Sequence, residues 1–260
     1  MVSKQNKDLG HFLRRLVRLV EPQFEDVSFP EDDHFAFMCM CFLARQYEHS
    51  GSILTLGESL DADLIARSMV EGLCQLVWAA NDPDDRAYRW RAFSAMYDFD
   101  LLKKREAWGE KIDESERHEV FARWEAVEHL FLTNAAKRAR AKDDPDPPRP
   151  YHRNWFGGRS VRDLCGAVGA EQLYEGPYDF FSEWHHWGIG GIGRGLERRA
   201  GRVTFSVGRQ SATAYAVAIQ SLLQTNVIAD ERVGMGMEED LEGFRVEYVN
   251  RFQSAKGNGA

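Results

Sequence analysis

The residues best suited to chemistry lie in the stretch YDFFSEWHHWGIGGIGRG, residues 178–195. On a helix, Tyr178, Ser182 and His186 recur every four residues and share one stripe, while His185 points about a quarter-turn away. His186 is the candidate general acid/base, because imidazole titrates near neutrality. Tyr178 and Ser182 are candidate hydrogen-bond donors, and His185 reads as a neighbour that packs or caps. More than a hundred residues earlier, Arg67 and Glu71 stand one helical turn apart on a segment that is otherwise apolar, among Ile65, Met69, Leu73, Leu76 and Val77. Burying either charge alone is costly, so the two must pair with each other or meet other polar groups. The bland reading is a structural ion pair. In the chemical reading, Arg67 holds an anionic group, preferably phosphate, in its planar fork. Glu71 then fixes the histidine tautomer or pairs with Arg67.

Other motifs are weaker. GIGGIGRG lacks the Gly-Lys-Ser/Thr of a phosphate-binding P-loop and follows no strand, so its glycines read as a helix terminus and a close-packing device. Glu183 and His186 have E-x-x-H spacing, but no second such motif and no H-E-x-x-H accompany them, and neither a metal nor a cofactor is expected. No Ser/His/Asp or Cys/His nucleophile motif stands out. The basic run Lys137, Arg138, Arg140, Lys142 could touch phosphates, but reads more simply as a helix C-terminus complementing its own dipole.

These residues must be positioned by helices. Of 260 residues, 43% are hydrophobic, enough for a core, and the formal net charge of −8 argues against a broad grip on nucleic acid while leaving a local patch open. No apolar run approaches the roughly 20 residues of a membrane span, and the first ten residues lack the apolar core of a signal peptide. The four cysteines read as buried thiols in a reducing cytoplasm.

Helical periodicity predicts an amphipathic helix over 9–21, with Leu9, Phe12, Leu13, Leu16, Leu19 and Val20 on one face. A second helix is expected from near Pro30 through residue 59, with Gly51 and Gly57 as candidate breaks. Others are expected over 61–80, 86–109 and, as one long helix, 113–142. DDPDPPRP, residues 143–150, is an exposed loop. Short helices over 160–169 and 177–188, a strand over 201–208, and helices over 211–231, with Ser211 as its cap, and 237–253 complete the chain. The expected architecture is mainly α: a single-domain helical bundle with long helices over residues 1–254, at most a small β-ribbon near 202–208, and a flexible tail at 255–260.

The segment from Ala62 to Lys104 resembles a helix-rich bacterial family, the domain of unknown function 5677. Its members show an Arg-Ser-x-x-Glu helix and then an Asp-Pro turn, here Arg67, Ser68, Glu71, Asp82 and Pro83. Later come a Trp-led short helix, here after Trp155, and Tyr-x-x-x-Ser-x-x-x-His, here Tyr178, Ser182 and His186. The resemblance covers roughly residues 35–195 and carries no settled activity. Such proteins are similar to small helical proteins found beside mobile elements and phage-defence genes. Some helical defence proteins are ribonucleases with an Arg-x(4–6)-His motif, which this chain lacks before His185 and His186. Two functions remain open. The first is a toxin-like or phage-defence effector, a metal-independent hydrolase or ribonuclease-like enzyme, with His186, Arg67, Glu71, Tyr178 and Ser182 acting on a nucleic acid or nucleotide. The second is a non-enzymatic sensor or interaction module, a homo-oligomer or the partner of another protein, in which Arg67, Glu71, Tyr178 and His186 form a buried network.

Overall fold

Leu9, Phe12, Leu13, Leu16 and Val20 recur at helical spacing, and all five are buried along the first helix, with Arg14 and Arg18 exposed on its other face. The computed structural model describes residues 4–25, 27–57, 59–185, 196–199, 201–205 and 212–253. The chain is mainly α. Its helices are α1 (Lys4–Val20), α2 (His34–Leu56), α3 (Asp61–Ala80), α4 (Pro83–Ala107), α5 (Glu114–Val127), α6 (Asn134–Arg140), α7 (Val161–Ala167), α8 (Glu171–Leu173) and α9 (Asp179–His185). Strands β1 (Leu196–Arg199) and β2 (Arg202–Phe205) then pair antiparallel, Leu196 opposite Phe205, and α10 (Ala212–Val233) and α11 (Glu238–Tyr248) follow. The expected strand is thus the second half of a two-stranded ribbon. Contacts group the chain into two compact units, Met1–Asn81 with Val161–Ala260, and Asp82–Ser160.

In the first unit α10 is the central helix. It is apolar on nearly all sides, burying Val217, Ile219, Leu222, Leu223 and Ile228 among others, and it packs against α1, α2, α3 and α11. α2 starts at His34 rather than near Pro30, because the Asp33 carboxylate accepts the Ala36 amide at 2.8 Å and caps the helix there. Gly51 does not interrupt α2. Gly57 ends it, with a φ of +59° and its amide donating to the Ile53 carbonyl.

Asp33 also meets Arg232 of α10 at 2.8 Å, joining the start of α2 to the end of the central helix. Burial pushes its carboxyl up, but the Arg232 hydrogen bond and the Ala36 and Phe35 amides outweigh that and hold it below its usual value. Asp33→Ala is expected to cost about 1–2 kcal/mol near neutral pH. A lowered folded-state pKa stabilises above the unfolded-state value and ceases to as pH falls through the folded one. Urea titrations of both proteins should therefore converge as the pH drops below about 4; a gap that persists in acid would exclude the carboxylate as its source.

In the second unit α4 packs on α5 through Phe99, which stacks on Trp124 with ring centroids 4.4 Å apart and meets Phe121 edge-on at 5.3 Å. The single helix expected over 113–142 is broken. α5 gives way to a 3-10 turn at Glu128–Phe131, and Thr133 starts α6 afresh, its hydroxyl accepting the Ala136 amide. The break is fixed by the returning chain. The Thr133 amide donates to the Pro150 carbonyl at 2.7 Å, and the His152 amide to the Phe131 carbonyl at 2.9 Å. Arg140, at the end of α6, donates to Glu128, to Asp146 in the proline-rich loop and to Tyr151, so this member of the basic run is committed to carboxylates.

Candidate functional site

α3 carries the first half of the site. The Ser59 hydroxyl accepts the Asp61 amide, and Asp61 and Asp63 in the first turn suit the positive helix end. The face with Ala66, Met69, Val70, Leu73 and Leu76 is buried. Gly72 allows α2 to lie close: a Cβ there would stand 3.2 Å from Gln46 Nε2, which donates to the Met69 carbonyl. Arg67 and Glu71 sit at the edge of this seam, with side chains 20% and 32% exposed.

The second half comes from a π-helical turn, Tyr174–Tyr178, between α8 and α9. Pro177 lies inside it and has no amide hydrogen to give the helix ladder, which suits the widened turn. Tyr178 is buried, and its ring stacks on that of Tyr174 at 5.0 Å between centroids. The helix expected to begin at Pro177 thus starts earlier, and the π turn aims Tyr178 at α3.

The two halves meet. Arg67 Nη2 donates to Tyr178 Oη at 2.8 Å, and Tyr178 Oη donates to Glu71 Oε1 at 2.8 Å. Arg67 Nη2 is 3.5 Å from the same Glu71 oxygen, and the guanidinium carbon lies 4.7 Å from the Tyr178 ring centroid. Burial, and then the hydrogen bond to the Glu71 carboxylate, push the Tyr178 phenol up to about 12. Arg67 Nε is buried and has no hydrogen-bond partner among the described residues. The guanidinium is thus a planar cation held in place by a phenol and a carboxylate.

Ser182 does not join this triad. Its hydroxyl donates to the Tyr178 carbonyl at 2.8 Å, one turn back along the chain. His186 and the glycines that follow it lie outside the described residues, as do Ser211 and the expected tail; His185 ends α9. Two nearby pairings were not read from the sequence. Ser68 Oγ lies 3.4 Å from His49 Nε2 of α2, and burial pushes the His49 imidazole below its usual value. Cys74 of α3 faces Cys165 of α7. Neither pairing has a local spacing signal, because each joins separate helices. Among the described residues, no group of three or more His, Cys, Asp or Glu side chains is placed to hold a metal ion, and no helix is long and apolar enough to cross a membrane.

A family model described as a family of unknown function, DUF5677, matches residues 36–202, which takes in Arg67, Glu71, Tyr178, Ser182 and His186. The chain belongs to this family. No curated protein and no solved structure matches it. In this DUF5677 member the family's stretch therefore contains both the Arg-Ser-x-x-Glu helix and the π turn that bring Arg67, Glu71 and Tyr178 together.

Proposed function

We propose that the Arg67–Tyr178–Glu71 triad is a receptor for a phosphate group, and that the protein acts on a small phosphate ester such as a nucleotide or the end of an RNA strand. The observation that carries this reading is the buried Arg67 Nε, which has no partner among the described residues, on a guanidinium whose Nη2 is already anchored. A phosphate oxygen on the free edge would complete a bidentate contact. Glu71 stands beside it to accept a hydroxyl from the same ligand. The net charge of −8 disfavours long-range attraction of a polyanion, which favours a ligand the size of a nucleotide over a long duplex. His186 is the acid/base group in this reading, and the chemistry is that of a metal-independent, nuclease-like hydrolase. A toxin-like or phage-defence effector is the role that such an activity suits.

Equilibrium dialysis with labelled adenosine monophosphate and a short RNA tests the proposal. Arg67→Gln should weaken binding by about tenfold or more, equivalent to losing one charge-assisted contact. His186→Ala should keep binding and lose cleavage. Wild-type protein that takes up neither ligand at millimolar concentration would refute the proposal.

One observation favours a second reading, a non-enzymatic helical module whose network fixes helix register. Tyr178 is buried and hydrogen-bonded to two residues of α3. In that case Arg67→Gln lowers stability, and the wild-type protein has no phosphate site to lose.

A further inference from the structure

α3 carries Cys74 three residues beyond Glu71, and α7 carries Cys165 thirteen residues before Tyr178. The two sulfurs are 3.0 Å apart, and both residues are essentially closed to solvent, at 1% and 0% exposure. Both thiols are free. A disulfide needs a sulfur separation of about 2 Å, so closing the bond asks for a movement of about 1 Å between two helices already in contact. We infer that Cys74 and Cys165 form a reversible redox pair whose disulfide ties α3, which carries Arg67 and Glu71, to the segment that leads into the Tyr178 turn. This goes beyond phosphate binding and does not depend on it.

The other cysteines supply the contrast. Cys39 is buried, and burial pushes its thiol up to about 12, so it is unreactive; Cys41 is exposed. In the pair, the Cys74 thiol hydrogen-bonds to Cys165 and lowers the Cys165 thiol, which makes Cys165 the first to ionise. The same hydrogen bond, followed by burial, raises Cys74, so the second proton is held more tightly. α7 has only seven residues, and brief local opening of so short an element admits a small oxidant.

The oxidant we name is a peroxide. The Cys165 thiolate attacks one peroxide oxygen, breaking the O–O bond to give a sulfenic acid and, after proton uptake, water. The Cys74 sulfur then attacks the sulfenic sulfur, forming the S–S bond and expelling hydroxide, which takes up the Cys74 proton and leaves as a second water. Two thiols and hydrogen peroxide thus become one disulfide and two waters, with two electrons passed from the sulfurs to the peroxide. A dithiol reductant reverses the change.

The full-length protein is treated with hydrogen peroxide, quenched, denatured, alkylated with iodoacetamide and mapped by mass spectrometry without reduction. A linked peptide containing Cys74 and Cys165 is expected, lighter than the two thiol peptides by two hydrogen masses, with Cys39 still alkylated. Dithiothreitol should abolish the link. The disulfide closes a long loop, so oxidation should raise the thermal midpoint by about 5–10 °C. That rise should survive in Cys41→Ser and vanish in Cys165→Ser. Hydrogen exchange in α7 and the Tyr174–Tyr178 turn should slow in the oxidised protein. Oxidation that leaves Cys74 and Cys165 fully alkylated, or that yields only Cys41-linked dimers, would overturn the inference.

Discussion

Phe12→Ala is expected to destabilise the protein by about 3–5 kcal/mol, the largest loss of any single side chain considered. The ring is fully buried in α1. It meets Phe244 edge-on at 5.3 Å, Tyr248 at 5.8 Å and Phe252 edge-on at 5.8 Å, so it is the common contact of the C-terminal helical segment. Truncation removes the transfer free energy of a whole aromatic ring and leaves a cavity that three further rings can only partly fill. It also loosens the neighbouring bidentate pair between Arg15 and Glu247, at 2.8 and 3.0 Å, which holds the same two helices. Thermal melting followed by circular dichroism should show the midpoint falling by roughly 10 °C. A fall of only a degree or two would mean that α11 docks on α1 by other means.

Tyr178→Phe is the next largest expected effect, about 1–3 kcal/mol for the loss of one oxygen atom. Phenylalanine preserves the stack on Tyr174 and the ring beside the Arg67 guanidinium. What disappears is the hydroxyl that accepts from Arg67 and donates to Glu71, leaving two charged side chains 3.5 Å apart without their bridge. The three residues act as a unit, so Arg67→Ala combined with Tyr178→Phe should cost less than the sum of the separate changes. The pH dependence gives an independent check. The folded-state phenol is raised from its ordinary 10 to about 12. A raised value contributes stability that is complete below the unfolded-state pKa and lost as pH rises through the folded one. The gap between wild type and Tyr178→Phe should therefore narrow between pH 10 and about 12. Equal stability of the two proteins at neutral pH would remove the hydroxyl bridge from the account of the site.

Much of this frame is legible in the residues themselves. The apolar stripe of α1 and the i, i+4 relation of Arg67 and Glu71 are local, and periodicity exposes them. So is the four-residue step from Tyr178 to Ser182. What the chain hides is tertiary. Thr133 divides the expected long helix because residues 150–152 return to bond with residues 131–133, and no spacing within 113–142 signals that. Pro177 looks like a helix start but lies inside a π turn, where its missing amide hydrogen is tolerated. Ser182 shares a stripe with Tyr178, and its hydroxyl donates to the Tyr178 carbonyl one turn back, a bond the stripe alone does not reveal. Strand β1 reads LERR, without the apolar alternation that marks β2, so only one half of the ribbon is visible beforehand. The approach of Cys74 to Cys165 is set by how α7 packs on α3.

The most direct test of the phosphate-receptor reading is to watch Arg67 itself. In nitrogen-resolved NMR of the full-length protein, the Arg67 Nε–H signal is assigned by its disappearance in Arg67→Lys. It is then followed as inorganic phosphate and adenosine monophosphate are added. A saturable shift of that signal, lost in Tyr178→Phe, is the predicted result. A signal that stays in place to tens of millimolar phosphate, while the triad remains folded, would contradict a receptor at Arg67 and leave the network a purely architectural role.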